Sequence, residues 1–181
     1  MALIEPKLSY EHLQQLPDDG KRYELIDGEL IVAPAPSMPH QDAAWNLAAF
    51  LRRADEAGYG KGSFAPCDVV FDAENVTQPD LLFITTARLS IRGRDNVQGA
   101  PDLIIEILSP RTRERDLGAK LRLYARYSVA HYWAPDPIAQ TVQRYGLEGG
   151  SYRELPLLEG DDLLTCPLFP GISMPVSQIF R

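Results

Sequence analysis

The sequence predicts an α/β (α+β) domain built around a mixed β-sheet flanked by helices. Three observations carry that expectation. Short apolar, β-branched runs bounded by turn residues recur along the chain, and two segments have helical periodicity. The order, hairpin then helix, three strands, helix and further strands, interleaves the two element types. The 181 residues are enough for one domain with a sizeable core, read as 1–181.

Taken in order, "YELIDGELIV" reads as a hairpin around Asp27-Gly28, a strong two-residue turn signal. Tyr23, Leu25, Leu30 and Val32 then share an apolar face, and Glu24, Ile26, Glu29 and Ile31 a mixed one. "APAPSMP" is a Pro-rich loop with Ser37 as N-cap of a helix from about Pro39 to Ala57, which Gly58 stops. His40, Ala44, Leu47 and Leu51 fall on one stripe of it. "SFAPCDVVFD", "QPDLLFIT" and "APDLIIEIL" each read as a strand, and a second helix spans about Arg113 to Tyr127. "AHYWAPD", "TVQRYGL" and "GSYREL" are short strands, and "LFPGISMPVSQIF" is expected to be irregular chain packed on the body.

Hydrophobic residues make up 45% and charged residues 24%, which fits a folded chain and excludes a disordered one. No apolar run approaches the roughly 18 residues of a membrane span, so no membrane partner is expected. "MALIEPKLSYEHL" has neither the basic start nor the apolar core of a signal peptide. Cys67 and Cys166 lack metal-ligand spacing, and a reducing cytoplasm is the expected compartment. The net charge of −7 argues against coating nucleic acid through the overall field. Yet Arg88, Arg92, Arg94, Arg111, Arg113, Arg115, Lys120, Arg122 and Arg126 hold half of the 18 basic residues. A solvated face and a local phosphate-facing patch both account for them.

The informative anomaly lies in "GAPDLIIEILSP". Strand alternation puts Glu106 on one face with Asp102, Ile104 and Leu108, in an otherwise apolar run. An unpaired ionised carboxylate in such a place is costly, so it is paired, protonated or metal-bound. Asp80 opens the strand "PDLLFI", and Glu24 sits on the mixed hairpin face. Lys120 falls in the arc of Leu117, Leu121, Leu123, Tyr124 and Tyr127, the apolar side of its helix. It either snorkels to the rim or points at something negative beneath the helix. Carboxylates and a lysine converging at strand ends suit divalent-metal phosphoryl chemistry. There is no phosphate-binding glycine loop, no nucleophile elbow and no zinc spacing among His12, His40 and His131.

Together "YELIDGEL", "PSMPHQ", "QPDLLFI", "GAPDLIIEILSPRTRERDLGAKLRLYARYSVAHYW" and "LFPGI" resemble the Uma-type putative restriction endonucleases of the PD-(D/E)XK nuclease superfamily. The resemblance spans nearly the whole chain and implies a restriction-endonuclease-like fold with metal-dependent phosphodiester hydrolysis. By position, Asp80 resembles the superfamily's metal-binding aspartate and Glu106 the acid of its (D/E)-X-K element. Leu108 stands where that element has lysine, and Lys120 matches a lysine that the family carries on the next helix. Glu24 matches a further acidic position, and His40 a histidine at the start of the first helix, where a site role and a structural role are both open. Asp102, at the far end of the same strand as Glu106, is expected to be structural.

The resemblance thus implies a DNA endonuclease, with RNA as the other candidate substrate and Mg²⁺ (or Mn²⁺) as cofactor. Asp80, Glu106 and the main-chain carbonyl of Ile107 would hold the metal, Glu24 would complete or polarise the shell, and Lys120 would position water. A homodimer would supply two sites for two strands. The rival reading is a non-catalytic nucleic-acid or protein-binding module that keeps the fold.

Overall fold

In the computed structural model, which describes residues 7–181, the chain folds into two main sheets with helices against them. Residues 1–6, the start of the segment read for a leader, lie outside the described residues. The first element of the described residues is a short helix, α1 (Tyr10–Gln14). The hairpin β1 (Arg22–Ile26) and β2 (Glu29–Ala33) pairs Leu25 with Leu30, the register read from the sequence. Asp27 and Gly28 both have positive φ, 52° and 80°, as a turn that follows strand twist requires. A Cβ on Gly28 would also meet Lys7 at 2.7 Å.

Helix α2 (Met38–Glu56) follows, then β3 (Gly60–Phe64), β4 (Asp68–Asp72), β5 (Asn75–Thr77) and β6 (Leu81–Thr85). After a 3₁₀ segment come β7 (Asn96–Gln98) and β8 (Leu103–Ile105). Then α3 (Arg113–Arg115), a π-helical turn (Asp116–Lys120) and α4 (Leu121–Arg126) run on as one helix. The rest is β9 (His131–Asp136), β10 (Thr141–Glu148), β11 (Ser151–Glu154), β12 (Leu158–Glu159), β13 (Leu163–Thr165) and β14 (Ser173–Pro175). Among the described residues no helix is long and apolar enough to cross a membrane.

The central sheet has the order β11-β10-β9-β8-β6-β3, with β12 also on β10. It is mixed: β8 and β9 are parallel and the other pairs antiparallel. The second sheet, β2-β1-β5-β4-β7, is antiparallel except for β4 beside β7. From Leu81 to Ile84 of β6 and throughout β8 the residues are apolar on both faces, because both faces are covered. Leu81, Phe83, Leu103 and Ile105 pack with Leu47, Phe50 and Leu51 of α2. Leu82, Ile84 and Ile104 pack with Leu123 and Tyr124 of α4 and with Ile26 and Val69 of the second sheet.

Three sequence expectations are corrected. "SFAPCDVVFD" is two strands, not one: Pro66 has no N–H for a ladder, so the chain leaves the central sheet after β3 and joins the second as β4. The C-terminal tail is not merely irregular. β14 pairs with β13, and Phe169 packs edge-on against Phe50 and Phe83 at 5.7 and 5.2 Å. The apolar hairpin face is covered on β1 but open on β2, where Leu30 and Val32 are exposed. Helix α1, five residues and too short for a periodic signal, lays Tyr10 and Leu13 against Leu25, Val70 and Val76.

Candidate active site

The site forms where two central strands part. β6 and β8 pair from Phe83 opposite Leu103 to Leu81 opposite Ile105, and there their ladder ends. On its other edge the chain after β8 stays bound to β9: Glu106 donates its N–H to Trp133 O and Leu108 to Pro135 O, at 3.0 and 2.8 Å. On the open edge the Ile107 N–H would be stranded, and Asp80 Oδ2 accepts it at 2.8 Å. An aspartate just ahead of β6 thus replaces the missing strand neighbour.

Glu106 lies on the face of Ile104 and Leu108, as alternation requires, and meets the long helix there. Lys120 is buried rather than snorkelled, and its ammonium donates to Glu106 Oε1 at 2.9 Å and Glu24 Oε1 at 2.8 Å. The Tyr124 hydroxyl donates to the same Glu106 oxygen at 2.5 Å. Glu24, inward-facing on β1, also accepts from the Gln78 N–H at 2.8 Å. The π-helical turn ends at Lys120, and the Tyr132 hydroxyl satisfies the carbonyl of Asp116 at its start. The buried stripe of this helix is Asp116, Lys120, Leu123 and Tyr124.

His40, in the first turn of α2, brings Nε2 to 3.2 Å from Asp80 Oδ1, and Arg22 stands 3.5 Å from the same oxygen. Asp80, Glu106, Lys120, Glu24, Ile107 and His40 all line one cleft of about 390 Å³. The structure therefore brings all six sequence candidates together. Asp102 is elsewhere: Oδ2 accepts from the Thr85 N–H and hydroxyl at 2.8 and 3.0 Å, and Oδ1 from Arg88 at 2.7 Å.

The acids differ in their electrostatics. Burial pushes Asp80 up, but His40, the Ile107 N–H and Lys120 outweigh it and hold the carboxyl below its usual range. Burial pushes Glu106 up to about 8; Lys120 opposes this, while Asp116, Asp80 and Glu24 add to it. Burial also pulls Lys120 down, but Glu106, Glu24 and Asp116 more than compensate, so it stays charged. One ammonium faces several carboxylates, and Glu106 relieves the surplus negative charge by holding its proton.

The donor set has the chemistry of a hard-cation site. Asp80, Glu106 and the main chain of Ile107 offer oxygens, and Lys120 and Tyr124 both use Glu106 Oε1. Among the described residues Glu106 Oε2 has no hydrogen-bond partner, and the residue lines the cleft. Among the same residues no group of three or more His, Cys, Asp and Glu side chains is disposed to hold a metal. Two carboxylates with main-chain oxygen and water suit Mg²⁺, which keeps several waters and needs few protein ligands.

Sequence reasoning missed Tyr124, Asp116, Gln78 and Arg22. Tyr124 and Asp116 lie four residues either side of Lys120 and so share its helix face, a spacing that could have flagged them. Nothing local in the sequence signals Gln78 or Arg22.

A mixed sheet between helices, with two carboxylates and a lysine where its central strands separate, is a nuclease-like fold. The chain belongs to the Uma2 family, described as "Putative restriction endonuclease", which matches residues 10–177. It is 30% identical over 124 residues, 66% of this chain, to "Uncharacterized protein slr1290" of Synechocystis, and the match spans 63% of that protein's length. Its fold is similar to the crystal structure of a "putative nuclease belonging to DUF820" from Anabaena variabilis. The TM-score is 0.80 at 20% identity, covering 96% of this chain and 97% of that one.

Proposed function

We propose that the chain is a Mg²⁺-dependent endonuclease that hydrolyses phosphodiester bonds in DNA, with Mn²⁺ as a working substitute. The observation that carries this is Lys120 at 2.9 Å from Glu106 in the cleft that Asp80 also lines. The family's description and the designation of the Anabaena neighbour support it.

Asp80, Glu106 Oε2 and the Ile107 carbonyl would hold the cation. When bound, such an ion polarises a phosphate oxygen and makes a hydroxide-like nucleophile accessible near neutral pH. The chain's own residues do the rest. Two of the three Lys120 N–H bonds go to Glu24 and Glu106, which leaves one to orient water or meet charge growing on the phosphate. Tyr124 and Glu24 fix the Glu106–Lys120 pair in place. Arg111 and Arg115, on the cleft wall, are placed to position neighbouring phosphates in a chain whose net charge is −7. A homodimer of this domain would present two such clefts to two strands. The free thiols of Cys67 and Cys166 suit a reducing cytoplasm.

The test is nicking of a supercoiled plasmid with Mg²⁺ or Mn²⁺, beside calorimetric titration with Mg²⁺. Cleavage that needs the metal and disappears in Glu106→Gln supports the reading. Nucleic-acid binding with neither metal binding nor cleavage would make the chain a binding module instead.

A further inference from the structure

A second depression of about 650 Å³ opens beside the cleft and shares Arg22, His40 and Asp80 with it, so the two are continuous. Its size lies within the roughly 300–1,000 Å³ of small-ligand sites. Two aromatics stand on it unusually bare: Trp45 is 79% and Phe64 68% exposed. Leaving both in water is unfavourable unless something covers them. Trp45 follows His40 and Ala44 along α2, and those positions face the same depression. Phe64 ends β3 opposite Leu81, and the next residue donates its N–H to the Asp80 carbonyl at 3.0 Å. Both rings are therefore tied by backbone to residues of the candidate site.

Much of the rest of the lining is small, with Ala33, Ala35, Ala44 and Ala48 among it, which leaves room for a flat ring. Its charged lining is Lys21, which pairs with Asp19 at 2.6 Å, Arg22 and the shared Asp80. Exposed aromatics beside cations, continuous with a phosphate-cleaving cleft, suit a strand whose bases are free to stack. A paired base has its faces covered by its neighbours and gains nothing from Trp45 or Phe64.

We infer that the groove walled by Trp45 and Phe64 binds unpaired nucleotides next to the scissile phosphate, so that the substrate is nucleic acid with a single-stranded segment there. This rests on the nucleic-acid side of the reading above. It adds the class of substrate and the residues that select it.

Tryptophan emission reads the groove directly. The chain has two tryptophans, and Trp133 is only 2% exposed, so quenching by an added strand reports Trp45. With EDTA present to stop cleavage, oligothymidylate should bind and quench the emission. A blunt duplex of equal length should not quench it. Read by the anisotropy of a labelled oligothymidylate, which needs no protein tryptophan, Trp45→Ala and Phe64→Ala should each weaken binding about tenfold or more, and Trp45→Phe should restore most of it. Both side chains are exposed, so the variants should fold as the parent does. Plasmid cleavage with Mg²⁺, run in parallel, separates the two readings. A parent that cleaves DNA but shows no quenching and no loss on Trp45→Ala overturns this inference alone. Quenching and weakened variants in a chain that cleaves nothing support it and count against catalysis. Dissociation of a dimer by Trp45→Ala, with oligothymidylate affinity unchanged, overturns it and makes the groove a protein contact.

Discussion

The Ile107 N–H donates to Asp80 Oδ2 at 2.8 Å, so one carboxylate oxygen does the work of an absent strand. Asp80→Asn keeps an oxygen that can accept this bond but loses the charge that faces His40, Arg22 and Lys120, so its melting temperature should fall modestly. Its Mg²⁺ affinity and cleavage should fall, cleavage by about 10²-fold or more. Asp80→Ala leaves a buried donor without a partner and should cost a further ~1–3 kcal/mol of stability in urea unfolding. Equal stability for the two variants would mean that the N–H finds another acceptor.

Lys120 should show both a structural and a chemical effect. Removing it leaves Glu24 and Glu106 buried side by side, so Lys120→Ala should destabilise by about 3–5 kcal/mol. Cleavage, measured where the variant remains folded, should fall much more than DNA affinity. Lys120→Arg should rescue poorly, because a planar fork cannot meet two carboxylates from the position of a compact ammonium. Parental rates in both variants would remove Lys120 from the chemistry.

Metal-free stability should depend on pH through Glu106. Its carboxyl is raised from an ordinary 4.5 to about 8, so between those values the folded chain keeps a proton that the unfolded chain has lost. Stability from this group is therefore complete below about pH 4.5 and declines as pH rises towards 8. Chemical denaturation across that window should show the decline, and Glu106→Gln should flatten it. Saturating Mg²⁺ should also flatten it, since the ion binds the deprotonated form and releases the proton. A profile identical in parent and Glu106→Gln would place the titration elsewhere.

Asp102 supplies the contrast. It ties the end of β6 to the loop before β8 through Thr85 and Arg88, away from the cleft. Asp102→Ala should lower stability by about 1–3 kcal/mol, a melting shift of roughly 2–4 °C for each kcal/mol, with metal affinity unchanged. Loss of Mg²⁺ binding at parental stability would contradict this assignment.

The central elements were legible because their signals are local. Alternation on "DLIIEIL" placed Glu106 on the face where it lies, and Asp27-Gly28 set the hairpin register. Lys120 was legible as an oddity, a cation in an apolar arc, but its two partners lie 14 and 96 residues away and nothing near it names them. The division of "SFAPCDVVFD" between two sheets depends on where β4 finds β5 and β7, which the segment does not encode alone. Tyr124 falls in the apolar arc of its helix, and only the fold shows what its hydroxyl touches. The π-helical turn leaves no periodic signature over five residues.

Glu24 and Lys120 meet across 96 residues, one on the first hairpin of the second sheet and the other on a helix made late in the chain. As the chain emerges from synthesis, the glutamate appears long before the lysine, and Glu106 waits between them. Contacts of such sequence separation are slow to close, because loop-closure entropy is spent before they reward it. A half-made or clipped molecule would carry its acids on separate pieces, with no ammonium to balance them and no shared cleft. The complete cleft would then arrive late in folding, once both ends of this pairing are present.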